Sequence, residues 1–212
     1  MNNEIINKIK EDLATLEFLS SHDYYHLLRV YNNVVMLCSE EEIDKYIALI
    51  AQAGALLHDI GHKKVTYTKK NEHEQESAEI AKELLAKHGV EKDEINLVVE
   101  CILNHRASKQ GASDLLPIQI LQDADRLDAL GAIAIARTFS YDSNRPIYLP
   151  EQPPKEEYDG ISLSSINHIV EKILKLTPDT FNTSVAQRIA HERLLYVQEF
   201  VDEFLQEWNG YK

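Results

Sequence analysis

Cysteine is almost absent from this chain of 212 residues: Cys38 and Cys101 are the only two, and no CxxC spacing occurs. That excludes a disulfide framework and a cysteine-based zinc site, and it makes a reducing, cytoplasmic location the expected one. Glycine and proline are scarce as well, at 7 and 6 residues, too few for a collagen-like, low-complexity or turn-rich β protein. No apolar run reaches the roughly 18–20 residues that a membrane-spanning helix needs. The first ten residues mix Asn, Glu and Lys with Ile and do not read as a secretory leader. Positive charge is in deficit, since 22 Lys and Arg against 35 Asp and Glu leave a formal net charge of −13. A surface this acidic repels nucleic-acid polymers and anionic membranes. A small phosphorylated ligand stays compatible, because a local basic pocket or a bound cation reverses the local field.

What is present is helical periodicity. Hydrophobic residues make up 44% of the chain and charged residues 27%, enough to bury a sizeable core without cross-links. Ile5, Ile6, Ile9, Leu13, Leu16 and Leu19 recur at three- and four-residue spacing and predict an amphipathic first helix. A second is expected from His22 or Asp23 to Cys38, with Asp23 as its N-cap. A third is expected over Ile43 to His58, apolar almost all round and therefore central to the core, with Gly61 suited to its end. Further helices are expected over Glu74–His88, Glu91–Asn104, Ile118–Phe139, Ser162–Leu176 and Thr183–Trp208. Residues 63–71 and 106–116 read as loops, and the proline-containing stretch 141–160 as irregular, with room for a short hairpin. The expected architecture is a single all-α domain over residues 1–212.

The segment that carries chemistry is ALLHDIGH, residues 55–62. A charged Asp59 beside His58, at the end of an apolar helix, is costly unless a cation or metal partners it. Imidazole plus carboxylate suits a divalent transition ion or a mixed hard and borderline ion such as Mn²⁺. More ligand types are available in His26, within HLLRV, and in Asp125, within a buried-looking stretch that also holds Asp123 and Asp128.

Taken in order, His26, His58-Asp59 and Asp125 resemble the H…HD…D signature of the HD-domain metal-dependent phosphohydrolase superfamily. The surrounding words agree: HLLRV, ALLHDIGH, HEQESAEIAKELL, ILNH and LQDADRLDALGAIAIARTF. The resemblance spans about residues 22–140, followed by a helical extension over about 160–209. The tail, with NHIVEK and residues 188–193, resembles the small bacterial branch that hydrolyses nucleotides. The resemblance implies an all-α helical bundle with His26, His58, Asp59 and Asp125 holding one divalent ion at its centre. Mn²⁺ is the first choice, with Mg, Co, Ni, Fe or Zn as alternatives, and no organic cofactor is expected. Superfamily members with two metals carry a His opening the helix after the HD segment and a His pair farther on. Here His73 takes the first place, but His105 is followed by Arg106, which favours one nucleus. His73 and His105 then either bind a weaker second ion or line the phosphate site.

Other residues are ambiguous by sequence. Lys63, Lys64, Lys69 and Lys70 are either a solvated loop or, for Lys63 and Lys64, a grip on a triphosphate tail; Lys172 and Arg106 are lesser candidates. His62 is either solvated or close to a bound phosphate, where it or the second oxygen of Asp125 would handle the proton. Asp123 and Asp128 are expected to orient the histidines or pair with Arg29 and Arg126. His88 reads as a cation at a helix end, and both cysteines as buried thiols. The expected activity is hydrolysis of a small nucleotide, by preference a (deoxy)nucleoside triphosphate cut to monophosphate and pyrophosphate. The alternatives are a nucleoside monophosphate phosphatase and a non-catalytic metal- and nucleotide-binding sensor. The exposed C-terminal helices leave room for a homodimer.

Overall fold

A computed structural model of the chain describes residues 1–16, 23–63, 73–106 and 113–212, the side chains of residues 62 and 63 excepted. Regular structure among the described residues is helical throughout: nine α-helices and short 3₁₀ turns, with no strand. The fold is all-α. The room left for a hairpin within 141–160 is taken by turns and bends. No helix among the described residues is long and apolar enough to cross a membrane. The chain divides into two compact units, residues 1–125 with 182–185, and residues 126–181 with 186–212.

The first unit is built around α3 (Lys45–Leu57), on which α1 (Asn3–Ala14), α2 (Tyr24–Glu40) and α5 (Lys92–Leu103) pack. Ala48 to Ala51 and Ala53 to Leu57 are all buried, as the all-round apolar pattern predicted. Fully buried Leu56 and Leu57 each contribute about 1.5–3 kcal/mol of apolar burial. Small residues let neighbours close in: a Cβ on Gly54 would lie 3.2 Å from Cys101 Cβ and 3.2 Å from Leu121 Cδ2. Side-chain caps from Asn2, Asp23 and Asp44 start the first three helices. Both cysteines are buried, and burial pushes their thiols up to about 11 for Cys38 and about 12 for Cys101. His88, at the end of α4 (His73–Lys87), meets Asp12 of α1 at 2.8 Å, so it ties two helices together rather than only balancing a helix dipole.

After α3 the chain makes a 3₁₀ turn over Ile60–Lys63 that lies against the start of α4. Gly61 N donates to Ser77 Oγ at 2.9 Å. Gly61 is therefore needed for close approach rather than for ending a helix: a Cβ there would sit 2.6 Å from His73 O and 2.8 Å from Ser77 N. Two acidic residues organise the start of α9 (Ser184–Trp208). Asp123, fully buried on α6 (Leu116–Asp128), accepts from Asn182 N, Asn182 Nδ2, Thr183 N and Thr183 Oγ1 at 2.8–2.9 Å. Glu41 Oε1 accepts from Val185 N at 2.7 Å and Ser184 Oγ at 2.9 Å. The carboxylate of Asp123 is thus satisfied by backbone and side-chain donors 59 and 60 residues away, a role its position beside Asp125 did not suggest.

The single helix expected over 118–139 is two. Leu130 is extended (φ −126, ψ 156), and α7 begins only at Gly131 and runs to Ser140. Gly131 has φ 78, in the left-handed region that ends helices. Asp128 pairs across this break with Arg137 at 2.7 Å. The predicted helix over 162–176 is α8 (Ser165–Glu171) followed by a 3₁₀ turn at Ile173–Lys175. Buried Glu171 accepts from Lys155 N at 2.9 Å and Ser162 Oγ at 2.5 Å, fastening the irregular segment to α8. Ring contacts of Phe139 with Phe200, and of Tyr148 with Phe204 and Trp208, at 5.3–6.1 Å, join that segment and α7 to α9.

The close contact at Gly61 yields a stability test. Gly61→Ala is expected to lower the unfolding free energy by about 1–3 kcal/mol, as overpacking does, seen as a lower urea midpoint with unchanged slope. An unshifted midpoint would show that the turn and α4 are not in contact.

Candidate metal centre

Three helices deliver the four residues of the H…HD…D pattern to one place in the first unit. Asp23 Oδ1 accepts from His26 N at 2.8 Å, which fixes His26 in the first turn of α2. His58 is the C-cap of α3, and Asp59 follows it. Asp125 comes from α6. His26, His58 and Asp59 are buried, and the side chain of Asp125 is 30% exposed. His26 Nε2 lies 3.6 Å from Asp59 Oδ2 and 3.5 Å from Asp125 Oδ1. His58 Nε2 lies 3.5 Å and 3.8 Å from the same two oxygens.

The chemistry of these atoms tests the fit of an ion. His58 Nδ1 is 2.9 Å from the carbonyl of Ala55. A carbonyl only accepts, so Nδ1 carries the proton and Nε2 presents a lone pair. Burial, the largest cause, pushes the His58 imidazole down to about 4 despite the two aspartates, so it is neutral near pH 7. His58 Nε2 has no hydrogen-bond partner among the described residues. A lone pair facing carboxylate oxygens in a buried site is repulsive unless a cation lies among them. The spacings are too long for hydrogen bonds and suit ligands sharing one ion through bonds of about 2.0–2.2 Å. His26, His58 and Asp59 qualify as a metal-binding group by ligand spacing, as do His58, His105 and Asp125. The residues present fit a divalent metal.

A second set of donors faces the other oxygen of Asp59. Asp59 Oδ1 lies 3.5 Å from His73 Nε2 and 3.6 Å from His105 Nε2. His73 opens α4, and His105 follows α5 with its Nδ1 2.6 Å from Ile102 O. The rings of His58 and His105 meet edge to face at 4.9 Å. Arg106, its side chain 33% exposed, places Nη2 2.7 Å from His73 Nδ1 and Nε 2.6 Å from Glu74 Oε1. Glu74 was not singled out by sequence. An acidic residue in a first helical turn reads as a dipole partner, and that reading hides its pairing with Arg106.

The remaining candidates are His62, Lys63, Lys64, Lys69, Lys70 and Lys172. The backbone of His62 and Lys63 closes the 3₁₀ turn after Asp59. Their side chains, and all of Lys64, Lys69 and Lys70, lie outside the described residues. Lys172 belongs to the second unit, with Nζ 5.6 Å from the centre of the Tyr158 ring.

Comparison with known proteins gives the family. The HD domain family model matches residues 23–130. The YpgQ protein of Bacillus subtilis strain 168 is 30% identical over 188 residues, covering 86% of this chain and 82% of YpgQ. The crystal structure of an HD-superfamily hydrolase from Bacillus thuringiensis superposes with a TM-score of 0.71 at 32% identity, over 98% of this chain and 96% of the other. The crystal structure of B. subtilis YpgQ in complex with ADP gives 0.67 at 26% identity, over 97% and 96%. The chain belongs to the HD domain family.

A metal-dependent gain in stability tests the centre. Mn²⁺ added to chelator-stripped protein is expected to raise Tm, with about 2.7 kcal/mol of stabilisation at a hundred times Kd. Asp59→Asn and Asp125→Asn are expected to lose that gain while keeping the helical far-UV spectrum. An equal gain in all three proteins would contradict the assignment.

Proposed function

We propose that this protein is a metal-dependent phosphohydrolase of small nucleotides, which cuts a (deoxy)nucleoside triphosphate to the monophosphate and pyrophosphate. The observation that carries the reading is the buried, neutral His58, whose Nε2 faces Asp59 and Asp125 at 3.5 and 3.8 Å beside His26. Support for the ligand class comes from the YpgQ structure with ADP, and support for hydrolysis from the HD-superfamily hydrolase of B. thuringiensis.

In this reading His26, His58, Asp59 and Asp125 hold one divalent ion, Mn²⁺ first among the candidates. Such an ion lowers the pKa of a water and neutralises charge at phosphorus. The chain supplies the rest by position and charge, which dominate phosphoryl transfer. Arg106 offers a partly exposed guanidinium beside His73 and Glu74, and a guanidinium pairs well with phosphate oxygens. His73 and His105 line the same side, and Lys63, Lys64 and Lys172 are the further contacts proposed for the phosphate tail. Water attacks the α-phosphorus, its oxygen forming the new P–O bond as the bond to the pyrophosphate oxygen breaks. The released proton passes to Asp125, whose carboxylate is the exposed member of the set, or to His62. A bound cation with Arg106 beside it would reverse the local field and let a polyanion approach a chain of net charge −13. Two buried, unpaired thiols suit the cytoplasm.

A panel of nucleoside mono-, di- and triphosphates with Mn²⁺, Co²⁺, Ni²⁺ and Mg²⁺, read separately for orthophosphate and pyrophosphate, decides the reaction. Pyrophosphate from triphosphates is expected. Asp59→Asn should lose more than the roughly 10–100-fold that even an outer partner of a metal ligand costs. Orthophosphate from monophosphates alone would replace the proposal with a nucleotidase. Tight nucleotide binding without turnover would replace it with a sensor.

A further inference from the structure

His26 and Asp125 come from different helices, and their atoms stand close: His26 Nε2 lies 3.5 Å from Asp125 Oδ1. That spacing depends on the register of α6 against α2. Whereas α2 and α5 pack closely on α3, among the described residues α6 makes no comparably close approach to α2, α3 or α5. Its apolar side chains Ile118, Ile120 and Leu121 are buried, but apolar contact is non-directional and leaves slide and rotation loosely set. Directional bonds from polar side chains supply what packing leaves open. Gln122 Nε2 donates to Asn104 O at 2.7 Å, one residue before His105. Asp123 accepts from Asn182 N and Thr183 N. Asn33 Nδ2 donates to Ala124 O at 2.9 Å.

The bond from Asn33 has a helix of the metal centre at each end. Asn33 lies seven residues, or two turns, beyond His26 on the same face of α2. Ala124 is fully buried on α6, and its carbonyl carbon is joined directly to the nitrogen of Asp125. We propose that Asn33 is a positioning residue of the metal centre: its bond to the Ala124 carbonyl sets how far apart His26 and Asp125 stand, and so how well the pair closes on an ion. Metal–ligand distances tolerate about 0.2 Å, so a slide of α6 along α2 that the apolar core absorbs is felt at the centre. The inference rests on the reading of His26, His58, Asp59 and Asp125 as metal ligands. Asn33 acts through two of them and is no ligand itself.

Metal affinity read against stability tests the role, because the affinity of a folded chain does not depend on how stable the fold is. Asn33→Leu removes the donor at similar volume. Titration of the chelator-stripped variant with Mn²⁺ is expected to give a Kd about 10–100-fold above wild type, the range for losing an outer partner of a metal ligand. The visible spectrum of its Co²⁺ form, which reports ligand geometry, is expected to differ from wild type. Asp12→Asn, which weakens the contact of α1 with His88, is the control: a lower Tm without metal, with wild-type Kd and Co²⁺ spectrum. Wild-type Kd and spectrum in a folded Asn33→Leu would overturn the role of Asn33 and leave the centre standing. An equal loss of affinity in Asp12→Asn would also overturn it, since destabilisation alone would then suffice. A wild type that binds no Mn²⁺ would overturn both. Should Asn33→Leu fail to fold, Asn33→Ser, whose hydroxyl is one bond shorter, is expected to show the same loss of affinity. In metal-free wild-type protein a coupling across the hydrogen bond, from Asn33 ¹⁵Nδ2 to the Ala124 carbonyl ¹³C, is expected by NMR, and its absence would refute the brace.

Discussion

At the end of α3 a buried, neutral imidazole directs its lone pair at two carboxylate oxygens 3.5 and 3.8 Å away. Without positive charge among them these atoms repel one another in a setting where water cannot screen them. Nothing about helix packing calls for such a grouping. Apolar residues at His58 and Asp59 would continue the pattern of Leu56 and Leu57 at lower cost. A divalent cation turns the same arrangement from a liability into a bound state, which is why a central polar cluster can persist in an otherwise apolar unit.

The surrounding structure holds these atoms in register. An all-round apolar α3 must be central, and its C-terminus therefore emerges inside the unit. Asp23 caps α2 and sets the position of His26. Gly61 allows the turn after Asp59 to press on α4, so that His73 opens its helix within reach of Asp59. On α6, Asp123 is tied to Asn182 and Thr183 by four hydrogen bonds, which fixes the rotation of the helix that carries Asp125 two residues on. Each residue of the centre is thus placed by a neighbour whose own conformation is fixed, as preorganised sites require.

Much of this was legible in the sequence, and the exceptions share a cause. Local signals sufficed for the all-α class, for Asp23 as a cap and for α3 as the core helix, because apolar periodicity and capping act within a few residues. His26, His58, Asp59 and Asp125 were picked out by their order in the chain and by a family resemblance, since the distances among them are a tertiary property. The break before α7 was missed because the apolar pattern runs on through Leu130 and Gly131, and a single left-handed glycine leaves no mark on periodicity. The partners Asn182 and Thr183 of Asp123, Arg137 of Asp128 and Arg106 of Glu74 leave no mark in the sequence, because they are set by packing rather than spacing.

The most direct measurement is a crystal structure of the protein grown with Mn²⁺, with diffraction recorded on both sides of the manganese absorption edge. One strong anomalous peak is expected within bonding distance, about 2.0–2.3 Å, of His26 Nε2, His58 Nε2, Asp59 Oδ2 and Asp125 Oδ1. An anomalous map empty among those four atoms, with the metal elsewhere or absent, would contradict the account at its root.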